Sequence, residues 1–266
     1  MIRELIDSLP LWGALLITIA FVLVATELGF KIGAYRRDIQ EKDTPPQVVT
    51  MTGAHLGLLA FILAFSFSLS AGHFADRKQY LLLEVNAIET AYLRAELVAE
   101  PQRGNIKSLL ADYTASRATL TTPDTIAQLL QISEEIQADI WTEVKQISQK
   151  EKLTVMDSLL VQAVNEVFDL HEKRVYAALH SRVPANIWVA LYVILVFSML
   201  GMGFSAGLTG KRSPIASFAL AMSFSMVMYV IADLDRPTAG IMRGDQTIMV
   251  NLSQKLNEPQ GESSRY

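Results

Sequence analysis

Four stretches of the chain are almost free of charge and stand between strongly polar ones: Leu11–Phe30, Gly53–Gly72, Ile187–Leu208 and Ile215–Ala232. Each is about 18–22 residues long, enough for a helix rising about 1.5 Å per residue to cross roughly 30 Å of hydrocarbon. None alternates with the two-residue period of a barrel strand, so the spans are expected to be helices, which satisfy their own backbone in lipid. The second stretch does not stop where its apolar window ends. It runs on as ADRKQYLLLEVNAIETAYLRAEL, and no proline interrupts it between Pro46 and Pro101. A single helix is expected to leave the membrane here and continue into an aqueous domain.

Residues 75–183 read as helical. Breaks are expected near Pro101, at Thr122-Pro123-Asp124 and at Pro184. Thr122 suits an N-cap, Pro123 the first helical position and Asp124 the positive end of the helix dipole. Leu81, Val85, Ile88 and Tyr92 form one apolar stripe. Met156, Leu159, Leu160, Ala163, Val164, Val167 and Leu170 form another at three-to-four spacing. Two such helices can pack antiparallel and bring the chain back to the membrane at Pro184.

Composition supports the membrane reading. Of 266 residues 51% are apolar, and the mean hydropathy is +0.28. The first apolar stretch is too long for a signal peptide, and Arg36-Arg37 follows it where a cleavage site would lie. It is therefore expected to be retained. There is no cysteine, which excludes disulfides, thiolate metal sites and cysteine nucleophiles. The net charge of −4 argues against nucleic acid as a partner.

Charge placement bears on orientation. The two short connections between spans are basic, with Lys31, Arg36, Arg37 and Lys42 in one and Lys211 and Arg212 in the other. The positive-inside rule puts both in the cytoplasm and the helical domain with both termini outside, in the periplasm. Arg77, Lys78, Lys173, Arg174 and Arg182 flank the opposite membrane face and pull the other way. Short loops carry the stronger weight.

Candidate chemistry concentrates on the second span. His55, Leu59, Ile62, Ser66, Ser70 and His73 share one helical face, and Phe61, Phe65, Ser68 and Gly72 an adjacent one. Small hydroxyls and a histidine interrupted by Ile62 suit a wet pore with an apolar collar. They equally suit close helix packing. Ile62 and Phe65 are the candidates for the constriction, with Ser66, Ser70 and His73 as lining. Glu27 has Lys31 four residues on, which favours an interfacial ion pair. Gly203 and Gly207 form a GxxxG packing motif.

Beyond the membrane, Glu84, Asn86 and Glu89 on one helix and Asn165, Glu166, His171 and Arg174 on another could meet as a polar seam. Asn86 and Asn165, if buried, would set the register. The fourth span ends in DLDRPTAG, where Asp233, Asp235 and Arg236 read as a helix stop or as a site at a pore mouth. Two carboxylates fall short of a calcium cage. His171 and His180 are not at metal-ligand spacing, so neither a metal nor another cofactor is expected. No nucleophile–base set or phosphate loop is visible, and an enzyme is the least supported class.

The runs GLLAFILAFSFSLS and ADRKQYLLLEVNAIETAYLRAEL, followed by NEVFDLHEKR and DLDRPTAG, resemble the bacterial bestrophin-like membrane proteins (DUF4239). The likeness extends over about Gly53 to Leu252. It implies a distant kinship with bestrophins, which are pentameric anion channels. Their pore neck is lined by the second membrane helix, and each subunit has four membrane helices and a helical aqueous domain. The chain departs from that pattern in three respects. No acidic calcium-clasp cluster is recognisable, and the aromatic neck is matched only through Phe61 and Phe65. Bestrophins also hold the large domain and both termini in the cytoplasm, opposite to what the basic loops indicate.

These readings combine into an all-α integral membrane protein of the bacterial inner membrane. The first hairpin is expected over 1–74, a helical aqueous domain over 75–183, the second hairpin over 184–234 and a polar tail over 235–266. The expected function is a homo-oligomeric ion channel, bestrophin-like and by analogy anion-conducting, in contact with membrane lipid. The alternative is a non-conducting scaffold or sensor whose helical domain binds a partner.

Overall fold

The computed structural model describes residues 10–39, 46–119, 125–149, 153–211, 213–236 and 246–258. Among these, eight helices follow one another: α1 (Leu11–Ile39), α2 (Pro46–Ala95), α3 (Gln102–Ala118), α4 (Ile126–Ser148), α5 (Val155–Leu179), α6 (Ala185–Thr209), α7 (Pro214–Asp235) and α8 (Thr247–Asn257). No strand occurs among the described residues. Four helices, α1, α2, α6 and α7, are long and apolar enough to cross a membrane. The chain is an all-α protein with four candidate spans.

Local chemistry explains the helix limits. α2 opens on Pro46, whose fixed φ suits a first helical turn, and runs for 50 residues without another proline. At its end Glu96 and Leu97 donate to the carbonyls of Leu93 and Arg94, tightening the last turn before the chain reaches Pro101. α5 starts on a capping box. The hydroxyl of Thr154 accepts from the Asp157 amide at 3.1 Å, and the Asp157 carboxylate accepts from the Thr154 amide at 2.8 Å. α6 stops at Gly210, which takes φ +69° and donates to the Gly207 carbonyl. The expected cap at Thr122-Pro123-Asp124 lies outside the described residues.

The chain divides into two compact units. The first is the membrane unit, formed by the described residues up to Phe74 and those from Arg182 to Arg236. Its core joins Val22 and Ala25 of α1, Leu59 and Leu63 of α2, Leu191, Leu195 and Met199 of α6, and Met228 and Ile231 of α7. The helices in backbone contact are α1 and α6, the first and third spans. Gly29 and Gly33 face the backbone at Leu200 and Phe204, while Gly203 and Gly207 face that at Thr26 and Phe30. A Cβ at any of the four would overlap a carbonyl oxygen, so glycine is what lets these backbones meet.

The second unit holds the described residues from Ala75 to Ser181 together with α8. Leu81, Val85 and Ile88 of α2 pack with Leu160, Val164 and Val167 of α5 in one apolar core. The two helices run antiparallel: Arg94 donates to the Leu159 carbonyl at 2.8 Å, and Glu84 meets His171 and Arg174. Met249, Leu252 and Leu256 of α8 are buried in the same core. The stretch 235–266, expected to be a polar tail, therefore contributes a core helix at Thr247–Asn257. Three apolar residues spaced three and four apart are enough to dock one short helix.

Candidate functional site

In the membrane unit, α2 has one covered and one open side. Leu59, Leu63, Ser66 and Ser70 are fully or almost fully buried against the chain's other spans. The hydroxyls of Ser66 and Ser70 have no hydrogen-bond partner among the described residues. On the opposite side Phe61 is 70% exposed and Phe65 56%, and Ser68 and Gly72 are exposed as well. A Cβ added at Gly53, Gly57 or Gly72 would meet nothing within 4 Å among the described residues. Only 11% of the apolar window of α2 is buried, the smallest share among the four spans, so much of this helix remains available to lipid or to another copy.

Of the residues expected to line a pore, Phe65 therefore stands on the open side. Ile62 and His73 are half-buried at its margin. Ser66 and Ser70 lie inside the subunit, on the packing face. Sequence periodicity separated the two faces but could not say which one the other helices would cover. His55 is exposed and its Nδ1 lies 2.8 Å from the Met51 carbonyl. Glu27 is half-buried.

The DLDR segment is built into the fold. Asp235 ends α7, where a carboxylate faces the unfavourable negative end of the helix dipole. Two donors compensate for this: Arg182 Nε reaches one carboxylate oxygen at 3.0 Å, and the Val183 amide reaches the other at 2.7 Å. Asp235 thereby ties the end of the fourth span to the residues just before α6. Asp233 and Arg236 are buried beside it. With both Asp235 oxygens engaged, this geometry favours the helix-stop reading over a site at a pore mouth.

In the helical unit the main polar feature is a buried network around Glu84. Its side chain is fully buried. Arg117 Nε lies 3.2 Å from Oε1, and Arg174 Nη1 bonds Oε2. Tyr113 donates its phenol proton to Oε1 at 2.7 Å. The same phenol oxygen sits 2.9 Å from His171 Nδ1. Since the one phenol proton goes to Glu84, Nδ1 must carry a proton and donate to Tyr113, which selects that tautomer of a neutral imidazole. A relay of donors thus runs from His171 through Tyr113 to Glu84.

The charge balance follows from burial and neighbours. Burial alone would raise the Glu84 pKa, but the charges of Arg117 and Arg174 and the hydrogen bonds from Arg174 and Tyr113 lower it to about 2. Burial, reinforced by repulsion from Arg117, lowers that of His171 to about 4. Burial and the adjacent Glu84 carboxylate push the Tyr113 phenol well up. At neutral pH the network therefore holds one carboxylate, two guanidinium groups and two neutral rings.

Of the expected polar seam, Glu84, His171 and Arg174 come together. Asn86 and Asn165 are exposed and set no register. Glu89 pairs at the surface with Lys255 of α8. Tyr113 and Arg117, both on α3, were missed. They lie four residues apart, a spacing that places them on one face, but no sequence pattern tied that face to Glu84. Among the described residues no three His, Asp or Glu side chains converge as metal ligands.

Comparison with known proteins places this architecture. The profile of the Bestrophin-like domain matches residues 16–244. Among curated proteins, none matches by sequence. Solved structures of a bacterial bestrophin homologue from Klebsiella pneumoniae, carrying single substitutions, share the fold. One aligns with a TM-score of 0.68 at 17% identity, covering 92% of this chain and 97% of that one. Another gives 0.66 at 16% identity, over 91% and 96%. A crystal structure described only as a membrane protein gives 0.66 at 16% identity, over 92% and 97%. At such identities the likeness speaks for the fold alone, whereas the profile match spans most of the chain: this protein belongs to the bestrophin-like family.

Proposed function

We propose that the protein is a homo-oligomeric ion channel whose pore is lined by the open side of α2. The observation that carries this reading is the row Phe61, Phe65, Ser68 and Gly72. It is exposed in a helix whose other side is already packed, in a chain of the bestrophin-like family. Copies arranged around an axis would bring the Phe61 and Phe65 rings together as an apolar collar, flanked by Ile62. Small residues at Ser68 and Gly72 would widen the path beyond it. Ser66 and Ser70 then act in packing, and His73 stands at the edge of the lining.

Anions are the proposed permeant species, by analogy with bestrophins and on a physical ground. The edge of an aromatic ring is electropositive, and no carboxylate occurs on α2 between Pro46 and Ala75. A pentamer in the bacterial inner membrane is the assembly the analogy suggests, and the basic short loops favour a periplasmic helical domain. The test is current through planar bilayers holding the purified full chain, with the reversal potential read in a chloride gradient. The second reading is a non-conducting scaffold. It is favoured if the open side of α2 is found closed by tight protein packing or plugged with lipid.

A further inference from the structure

A groove of about 430 Å³ runs between the start of α2 and the end of α6, within the membrane unit. Its walls are apolar at Val49, Leu56 and Met202, and hydroxyls from Thr52, Ser205 and Thr209 enter it. Lys211 stands at the rim where α6 ends. The volume falls within the ~300–1,000 Å³ common for ligand sites. The polarity has a direction, since an apolar trough ends at a cation. We propose that this groove binds one anionic glycerophospholipid, its acyl chain along the trough and its phosphodiester at Lys211.

Three further observations fit an anionic, hydroxyl-bearing head group. First, Lys211 is exposed, and no carboxylate among the described residues pairs with it. Its ammonium is free to meet a phosphate, and a cation near an anionic bilayer surface is worth about a fivefold gain in affinity. Second, Thr52 and Thr209 donate their hydroxyl protons to their own helix, at Val48 and Ala206. Their oxygens are left as acceptors, which suits the hydroxyls of a glycerol head group rather than a quaternary ammonium. Third, the loop bearing Lys211 is held in place. Gly210 adopts φ +69°, and the Arg37 guanidinium occupies the space where a side chain at Gly210 would stand. The cation therefore projects from a fixed turn. The site depends only on the protein lying in a membrane and not on whether it conducts.

The test uses the delipidated full chain in mild detergent, titrated with dioleoyl phosphatidylglycerol or dioleoyl phosphatidylcholine and read by native mass spectrometry. One phosphatidylglycerol per chain is expected, bound more tightly than phosphatidylcholine. Lys211→Gln should weaken phosphatidylglycerol about fivefold and leave phosphatidylcholine unchanged. Val49→Trp, at an exposed wall position, should fill the trough and remove the bound lipid without touching the core. Millimolar inorganic phosphate should fail to displace it. Equal binding of both lipids with no effect of Lys211→Gln would overturn the proposal, as would displacement by phosphate alone. So would variants that change the number of copies per particle while lipid retention stays the same, since the groove would then be covered by a second copy.

Discussion

The phenol of Tyr113 donates to Oε1 of Glu84 at 2.7 Å in the interior of the helical unit, and this bond joins α3 to the part of α2 that lies beyond the apolar window. Arg117 of α3 and Arg174 of α5 close on the same carboxylate. Glu84→Ala would leave two guanidinium groups facing each other without their counter-charge. Removing one member of a buried charge network costs about 3–5 kcal/mol. The variant should melt on the order of 10 °C lower than the parent in detergent. Tyr113→Phe, which removes the donor to Glu84 and the acceptor for His171 Nδ1 but leaves the charges paired, should cost less, about 1–3 kcal/mol.

Acid should loosen the same unit, and the direction follows from the shifts. The His171 pKa is depressed to about 4 in the folded protein from an ordinary value of 6.5. Below pH 6.5 the unfolded chain binds a proton that the folded chain refuses, so stability falls as the pH drops from 6.5 toward 4. Glu84, held near 2 against an ordinary 4.5, adds a second loss between pH 4.5 and 2. Melting temperature measured from pH 7.5 to 4.5 should decline in the parent and stay flatter in His171→Gln. Equal slopes for the two proteins would contradict the assignment of His171 as a buried neutral ring.

Backbone contact between α1 and α6 makes a sharp distinction among glycines. Gly203→Ala sets a methyl against the Thr26 carbonyl, and Gly29→Ala sets one against the Leu200 carbonyl. Each should destabilise by about 1–3 kcal/mol through overpacking. Gly57→Ala meets open space and should be neutral or stabilising by about 0.5–1 kcal/mol, as alanine is favoured inside a helix. Thermal melts of the three variants side by side check the contrast.

Asp235→Asn keeps the shape at the end of α7 but removes the charge that balances Arg182. An amide has one acceptor oxygen where the carboxylate has two, so either Arg182 Nε or the Val183 amide loses its partner, at a cost of about 1–3 kcal/mol. Limited proteolysis should then cut faster near Val183 than in the parent. Unchanged cleavage would mean that the Val183 amide alone holds the junction.

Much of this architecture is legible in the chain. The four spans, the 50-residue α2 and the antiparallel partnership of α2 with α5 all follow from apolar windows, periodicity and the absence of proline. Windows of this kind report what is buried or lipid-facing, not which helix does the burying. Hence α2 shows two distinct faces, while Ser66 and Ser70 suit a wet lining and close packing alike until other spans cover them. Long-range polar partners were harder still. The expected polar seam includes Glu84 and Arg174, but Tyr113 and Arg117 belong to a helix of low mean hydropathy where charge is common. α8 escaped because three apolar residues within a polar end resemble scattered surface positions until a core receives them.

Single-channel recording of the reconstituted full chain reads conduction along the open side of α2. A chloride-selective current is expected in the parent and a larger unitary current in Phe61→Ala and Phe65→Ala, where the aromatic collar is removed. Ser66→Ala, on the packed side, should leave the unitary current unchanged. Absence of current from parent and collar variants alike across pH and voltage, with the protein shown to be inserted and folded, would contradict conduction along α2.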